Sequence, residues 1–168
     1  MRTVAAYISL GGNMGGEDAL FSQALRAINS WPGITVAAAS GIFRTEPQGD
    51  REQPWFCNQA AALDCSGRIT PQGLLKDLLS LEIHLGRDRD ANRRFGPRRI
   101  DLDLLLFGDI LNTDPFVLLP HPRMRERAFV LVPLLEIAPG LIFPDGVPVA
   151  RVLAGLTYTV DNGIIRQP

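Results

Sequence analysis

The sequence predicts an α+β fold in which helices pack on a mostly antiparallel sheet, and three observations predict it. The elements run strand–helix–strand–strand–helix–strand before giving way to short helical pieces. One strand, Ile100 to Phe107, carries leucines at positions of either parity, the pattern of a strand buried on both faces. The 168 residues show no repeat, linker or low-complexity segment, so residues 1–168 are expected to form a single domain around a real core.

The first strand, Thr3 to Leu10, contains no charge, which places it inside the sheet. Gly11-Gly12-Asn13-Met14-Gly15-Gly16 follows. A dinucleotide fingerprint needs glycine where Asn13 stands, so the fingerprint fails. The loop is expected to be a flexible strand-to-helix connection, though it could also let a ligand approach the backbone. Glu17 and Asp18 favour a helix start, and Leu20, Ala24, Ala27, Ile28 and Trp31 recur at helical spacing until Pro32-Gly33. Trp31 is expected in the core. Ile34 to Phe43 reads as the second strand and Trp55 to Asp64 as the third. The polar loop between them, Arg44 to Pro54, has a length often reserved for function. On the third strand Phe56, Asn58, Ala60 and Ala62 share a face. An aromatic and an amide one step apart there suit a flat heterocycle, unless Phe56 simply packs in the core.

Thr70 is an N-cap and Pro71 a first helical residue for a helix that Gly86 ends. Its buried stripe is Leu74, Leu75, Leu78, Leu79 and Leu85, with Glu82 at the edge, placed either to pair with an arginine or to face a ligand. After the central strand, Gly108-Asp109 turns the chain into Ile110 to Leu119, and Pro120-His121-Pro122 sets a histidine in a stiff extended segment. Arg123, Arg125 and Arg127 form a second basic cluster. Phe129 to Ile137 is apolar and helical, with Pro133 at a break or first turn. An Asp145-Gly146 turn, a helical piece over Val149 to Leu153 and an Asn162-Gly163 hairpin complete the chain.

Within the central strand, Asp101 and Asp103 point to one face, roughly 6–7 Å apart along the chain. Two carboxylates in apolar surroundings repel and are poorly hydrated, so one stays protonated unless a cation joins them. A hard ion such as Mg2+, rather than Zn2+, suits an all-oxygen pair without Cys or His beside it. Arg87, Arg89, Arg93, Arg94, Arg98 and Arg99 precede the pair. Cations for phosphate beside acids for Mg2+ are the two halves of a nucleotide polyphosphate site.

Composition narrows the field. The net charge of −1 argues against a generic polyanion binder, and Lys76, the only lysine, excludes a P-loop. No signal peptide and no bilayer-length apolar run is read, Cys57 and Cys65 lie too far apart on one strand to bridge, and a cytoplasmic protein with reduced thiols is expected.

Arg94-Phe95-Gly96-Pro97-Arg98-Arg99-Ile100-Asp101-Leu102-Asp103-Leu104-Leu105 resembles the signature of the 6-hydroxymethyl-7,8-dihydropterin pyrophosphokinase family. Gly11-x-Asn13, Arg44-Thr45-x-Pro47, Phe56-x-Asn58, Glu82 with Gly86-Arg87, Pro120-His121-Pro122, Arg127-x-Phe129 and Pro133-Leu134-x-Glu136-Ile137-Ala138-Pro139 extend the match over nearly the whole chain. The resemblance implies a ferredoxin-like three-layer α/β/α sandwich and diphosphoryl transfer from ATP to the pterin hydroxymethyl group. It implies that Asp101 and Asp103 hold two Mg2+ ions and that Arg87 and Arg98 contact the phosphates, with Arg89 in the same loop. Glu82, His121 and Arg127 would serve the nucleotide; Phe56 and Phe129 would sandwich the pterin, with Asn58 and Thr45 at its edge. It further implies a monofunctional monomer without nucleic-acid or membrane partners. The chain departs from common members at Gly12, where serine is frequent, at Phe56, where tyrosine is, and at Phe95, where tryptophan is. The Arg87–Arg98 loop is also one residue longer than in some relatives.

Two rival readings use the same residues. A Mg2+-dependent nucleotidyltransferase would release pyrophosphate instead of AMP. An RNA-binding sheet would exploit Arg94-Phe95-Gly96, but adjacent aspartates repel phosphates and Arg98 stands where an aromatic is needed.

Overall fold

The computed structural model describes residues 3–48, 51–88 and 96–168. Its main sheet is built from β1 (Thr3–Gly12), β2 (Ile34–Ala39), β3 (Phe43–Thr45), β4 (Phe56–Ser66), β5 (Asp101–Phe107), β8 (Thr159–Asp161) and β9 (Ile164–Arg166). The order is β5-β1-β4-β3-β9-β8, with β2 also on β4. Every pairing in it is antiparallel except β3 with β9. The charge-free β1 does lie inside, between β5 and β4.

Alternate residues of β1 separate two apolar clusters, as period-two geometry requires. Ala6, Ile8 and Leu10 pack with Leu20, Phe21, Ala24 and Ile28 of α1 (Glu17–Asn29) and with Leu74, Leu78 and Leu81 of α2 (Pro71–His84). Trp31 packs against this cluster, as expected. On the opposite face Tyr7, Ala60, Leu105 and Leu106 meet α3 (Ala128–Ile137) and α4 (Val149–Ala154). The α2 start follows the sequence: Thr70 Oγ1 accepts the Gly73 N–H at 3.1 Å, and Pro71 opens the helix.

Three sequence expectations need correction. Ile34–Phe43 is not one strand. It divides into β2 and β3 at Ser40-Gly41-Ile42, where the Ser40 hydroxyl accepts the Ala60 N–H and the Glu136 carboxylate accepts the Gly41 N–H at 2.7 Å. Pro133 neither breaks nor starts α3; the helix runs through it, losing the N–H that would have bonded to the Phe129 carbonyl. Finally, Ile110–Leu119 contributes a small separate hairpin, β6 (Asn112–Asp114) with β7 (Val117–Leu119).

Although β5 is an edge strand, Leu102 to Phe107 is buried apart from half-buried Asp103. Its register with β1 shifts between Tyr7 and Ile8, leaving Leu105 as an extra residue. The Leu105 carbonyl accepts the His121 N–H at 2.9 Å, and the Leu119–Pro120 peptide just before it is cis. At the other end, the Leu102 N–H donates to Glu82.

Candidate active site

The antiparallel register lines up the expected residues across one sheet face. Asp101 lies opposite Gly11 and Asp103 opposite Ser9; Gly11 and Ser9 in turn face Asn58 and Ala60, while Phe56 faces Thr45. Directly opposed residues share a face, so both acids, the amide and the aromatic look toward the N-terminus of α3. There they line a cavity of about 250 Å³ with Thr45, Arg98, Arg123, Arg127 and Phe129. Phe56 therefore lines a cavity, the functional alternative of the two open for it. Asn58 donates from Nδ2 to Thr45 Oγ1 at 2.8 Å, which fixes the amide plane. A guanidinium lies over each aromatic ring: Arg98 over Phe56 at 5.4 Å and Arg127 over Phe129 at 5.6 Å.

The acids are held differently. Asp101 receives Arg87 at 2.5 Å and Arg98 at 2.7 Å. Arg87 also pairs at 2.5 Å with Glu82, which is fully buried and whose other oxygen accepts the Leu102 N–H at 2.7 Å. Of the two alternatives for Glu82, pairing with an arginine is the one observed; it does not line the cavity. Asp103 sits deeper. Burial first, then the charges of Asp101 and Glu82, push its carboxyl well above the ordinary carboxylate range, against the pull of Arg127 and Arg87. An acid so placed gains from a cation.

A second cavity of about 210 Å³ adjoins the first through Asp103, which lines both. Leu75, Leu104, Phe116, Leu118 and His121 form its mostly apolar wall. The Nδ1 of His121 accepts the Arg123 N–H at 3.3 Å, and burial, aided by Arg127, lowers its pKa to about 4. The ring is therefore neutral with its proton on Nε2. Burial also lowers the pKa of Arg127, whose Nε is buried without a hydrogen-bond partner among the described residues.

The glycine loop serves an unexpected purpose. A side chain at Gly12 would bring its Cβ within 2.5 Å of the Arg99 carbonyl oxygen, so in this chain the arginine segment lies too close to leave room for one. Asn13 then bonds that segment through both groups, its N–H to the Arg98 carbonyl at 3.0 Å and its Oδ1 from the Arg98 N–H at 2.9 Å. Its Nδ2 donates to Gln53 and to the Pro54 carbonyl, tying the 44–54 loop to the same point. Arg99 turns away and donates from Nε to the Leu85 carbonyl at 3.0 Å. Arg89, Arg93, Arg94 and Phe95 lie outside the described residues. Sequence reading missed the second cavity's Leu75 and Phe116 and the first cavity's Glu46, Gln48 and Arg123. The basic cluster around Arg123 and the length of the 44–54 loop, which carries Glu46 and Gln48, were the signals available. Cys57 and Cys65 are free thiols, half-buried and buried.

The chain as a whole is similar to known proteins. The family model for 7,8-dihydro-6-hydroxymethylpterin-pyrophosphokinase matches residues 7–139. A 2-amino-4-hydroxy-6-hydroxymethyldihydropteridine pyrophosphokinase of Methylorubrum extorquens is 47% identical over 151 residues, spanning 90% of this chain and 92% of the relative. That of Pseudomonas aeruginosa is 40% identical over 162 residues, 96% of each chain. Among solved structures, an HPPK-DHPS in complex with substrates superposes with a TM-score of 0.71 at 12% identity. The match covers 92% of this chain and 43% of that longer chain, and the likeness is one of fold.

Proposed function

This chain belongs to the 7,8-dihydro-6-hydroxymethylpterin-pyrophosphokinase family, and from that premise we propose that it transfers the terminal diphosphate of ATP to the hydroxymethyl group of its pterin, yielding AMP and the pterin diphosphate for folate synthesis. The observation that carries this reading is Asp103, a common wall of two cavities, with Asp101 beside it and Arg87, Arg98 and Arg127 around them. Acceptor and donor can thus meet over a pair of acids.

The flat pterin fits the first cavity between Phe56 and Phe129, with Asn58 and Thr45 at its polar edge. The nucleotide base fits the apolar second cavity, and neutral His121 offers its Nε2 proton there. Asp101 and Asp103 suit Mg2+, an oxygen-seeking ion that takes few protein ligands beside substrate phosphates; we assign two ions. Bound there, the metal would neutralise phosphate charge and lower the pKa of the acceptor hydroxyl. Without substrate, Arg87 and Arg98 supply the positive charge that Asp101 requires. On binding they can turn to phosphate oxygens, for which a planar guanidinium is matched. The buried Nε of Arg127, without a hydrogen-bond partner among the described residues, provides another donor at the junction. Glu82 acts by holding Arg87 rather than by touching ATP, and Arg89 is a further phosphate contact by family resemblance.

The same reading extends to the whole molecule. Helices on both faces of the sheet make a three-layer, ferredoxin-like sandwich, with residues 1–168 as a single pyrophosphokinase domain. We propose a cytoplasmic monomer; no helix among the described residues is long and apolar enough to cross a membrane.

The deciding experiment mixes protein, ATP, Mg2+ and the hydroxymethylpterin and separates nucleotides by ion exchange. Pterin-dependent AMP is expected. ADP would replace diphosphoryl with single phosphoryl transfer, and released pyrophosphate would mean nucleotidyl transfer. Chelation of Mg2+ should abolish turnover.

A further inference from the structure

The β8–β9 hairpin lies beyond the stretch matched by the family model, yet it pairs with β3 beside the cavity residue Thr45, and Gln167 just after it reaches the backbone on either side of Arg127. It turns at Asn162-Gly163, both with positive φ, and β9 joins the main sheet parallel to β3. Successive side chains at a strand end point in opposite directions. Arg166 goes one way, its Nε donating to Glu46 at 3.3 Å and its guanidinium lying 5.6 Å over Trp55. Gln167 goes the other way, to the N-terminus of α3. Its Oε1 accepts the Ala128 N–H at 2.8 Å and its Nε2 donates to the Glu126 carbonyl at 2.6 Å.

Those two bonds bracket Arg127, and Phe129 follows Ala128; both side chains line the cavity. The first N–H groups of a helix need acceptors from outside it. The N-cap residue of α3, Arg127, makes no capping side-chain bond, so Gln167 caps the helix across the fold.

We infer that Gln167 is a positioning residue for substrate binding: it holds the Glu126–Ala128 backbone and thereby aims Phe129 and Arg127 into the cavity. The inference rests on the assignment of Phe129 to pterin stacking. Paired bonds to backbone fix a rotation as well as a distance, and the ring's tilt follows the first turn of α3.

The test compares Gln167→Met, which keeps length and loses both bonds, with Gln167→Glu, which keeps the acceptor and loses the donor. In the AMP assay the methionine variant should raise the pterin KM about fivefold, the effect of one ordinary hydrogen bond, with kcat within about twofold. The glutamate variant should fall between it and wild type. In a Phe129→Ala background the methionine change should raise the pterin KM less than it does in wild type, because one of the two residues through which it acts is gone. An unchanged pterin KM in either folded variant, or full additivity with Phe129→Ala, would overturn the inference; if the methionine variant does not fold, the glutamate variant decides. Should wild-type protein show no pterin-dependent AMP, the functional reading fails separately. Hydrogen exchange at the Ala128 amide then decides, with faster exchange in the methionine variant supporting the cap and unchanged exchange refuting it.

Discussion

Replacing Glu82 tests how the site is supported. The residue is fully buried, accepts the Leu102 N–H at 2.7 Å and pairs with Arg87 at 2.5 Å. Alanine removes one partner of a buried ion pair, a change that costs about 3–5 kcal/mol. Losing the acceptor for the Leu102 N–H accounts for roughly 1–3 kcal/mol of that sum. Arg87 retains Asp101 and is itself 18% exposed, which favours the low end. For a chain of 168 residues, with about 2–4 °C of Tm per kcal/mol, Glu82→Ala should melt about 6–12 °C lower. Glu82→Gln retains an oxygen for Leu102 and loses only the charge, so about 1–2 kcal/mol is expected, roughly a 2–8 °C drop. Thermal unfolding followed by circular dichroism at neutral pH reads both. An alanine variant within about 2 °C of wild type would refute the buried-pair argument. Equal losses in the two variants would refute the separate role given to the Leu102 bond.

Asp101→Asn and Asp103→Asn should leave the fold intact and slow AMP formation by about 10²-fold or more, and near-normal turnover in both would remove them from the metal site. Phe129→Ala should weaken pterin binding, measured by fluorescence titration, far more than ATP binding; equal losses would end its stacking role. His121 gives a pH prediction for the metal-free protein. Its folded pKa of about 4 lies below the ordinary histidine value of 6.5, so the unfolded chain binds the proton more readily. Stability from this group is present above pH 6.5 and is lost as pH falls toward 4. Asp103, with a raised folded pKa, works in the opposite direction, so only the difference between wild-type and His121→Asn Tm profiles isolates the histidine. That difference should shrink on acidification across this window; a constant offset would contradict it.

Part of the molecule was legible because chemistry and periodicity disagreed, and part through local geometry. Asp101 and Asp103 stand out because acids do not belong in an apolar strand, and two-residue spacing fixes their shared face. Thr70-Pro71 announces α2 through local geometry alone. What stayed hidden depends on distant partners. Glu136, 95 positions along the chain from Gly41, helps divide what looks like one continuous strand. Asn13 sits in a glycine-rich run suggestive of flexibility, whereas its four bonds hold two distant segments. Gln48 and Gln167 are polar residues with no periodic context, so the place of the first at the cavity and of the second at the start of α3 come only from how the strands return. Leu75 reads as part of a buried helical stripe and Phe116 carries no signal of its own, until the β6–β7 hairpin leaves a gap beside them.

The closure of β5 has a consequence for handling the protein. Asp-Leu-Asp-Leu-Leu-Leu-Phe is an apolar ribbon at a sheet edge, the kind of segment that recruits further strands when bare. Glu82 blocks it at Leu102 and the His121 backbone blocks it at Leu105. Glu82, which holds Arg87, and the segment that carries His121 are thus also guards against self-association. Variants that loosen either guard should lose soluble yield and form strand-paired oligomers before their catalytic defect can be measured, and ligands that tighten both cavities should act as solubilising agents.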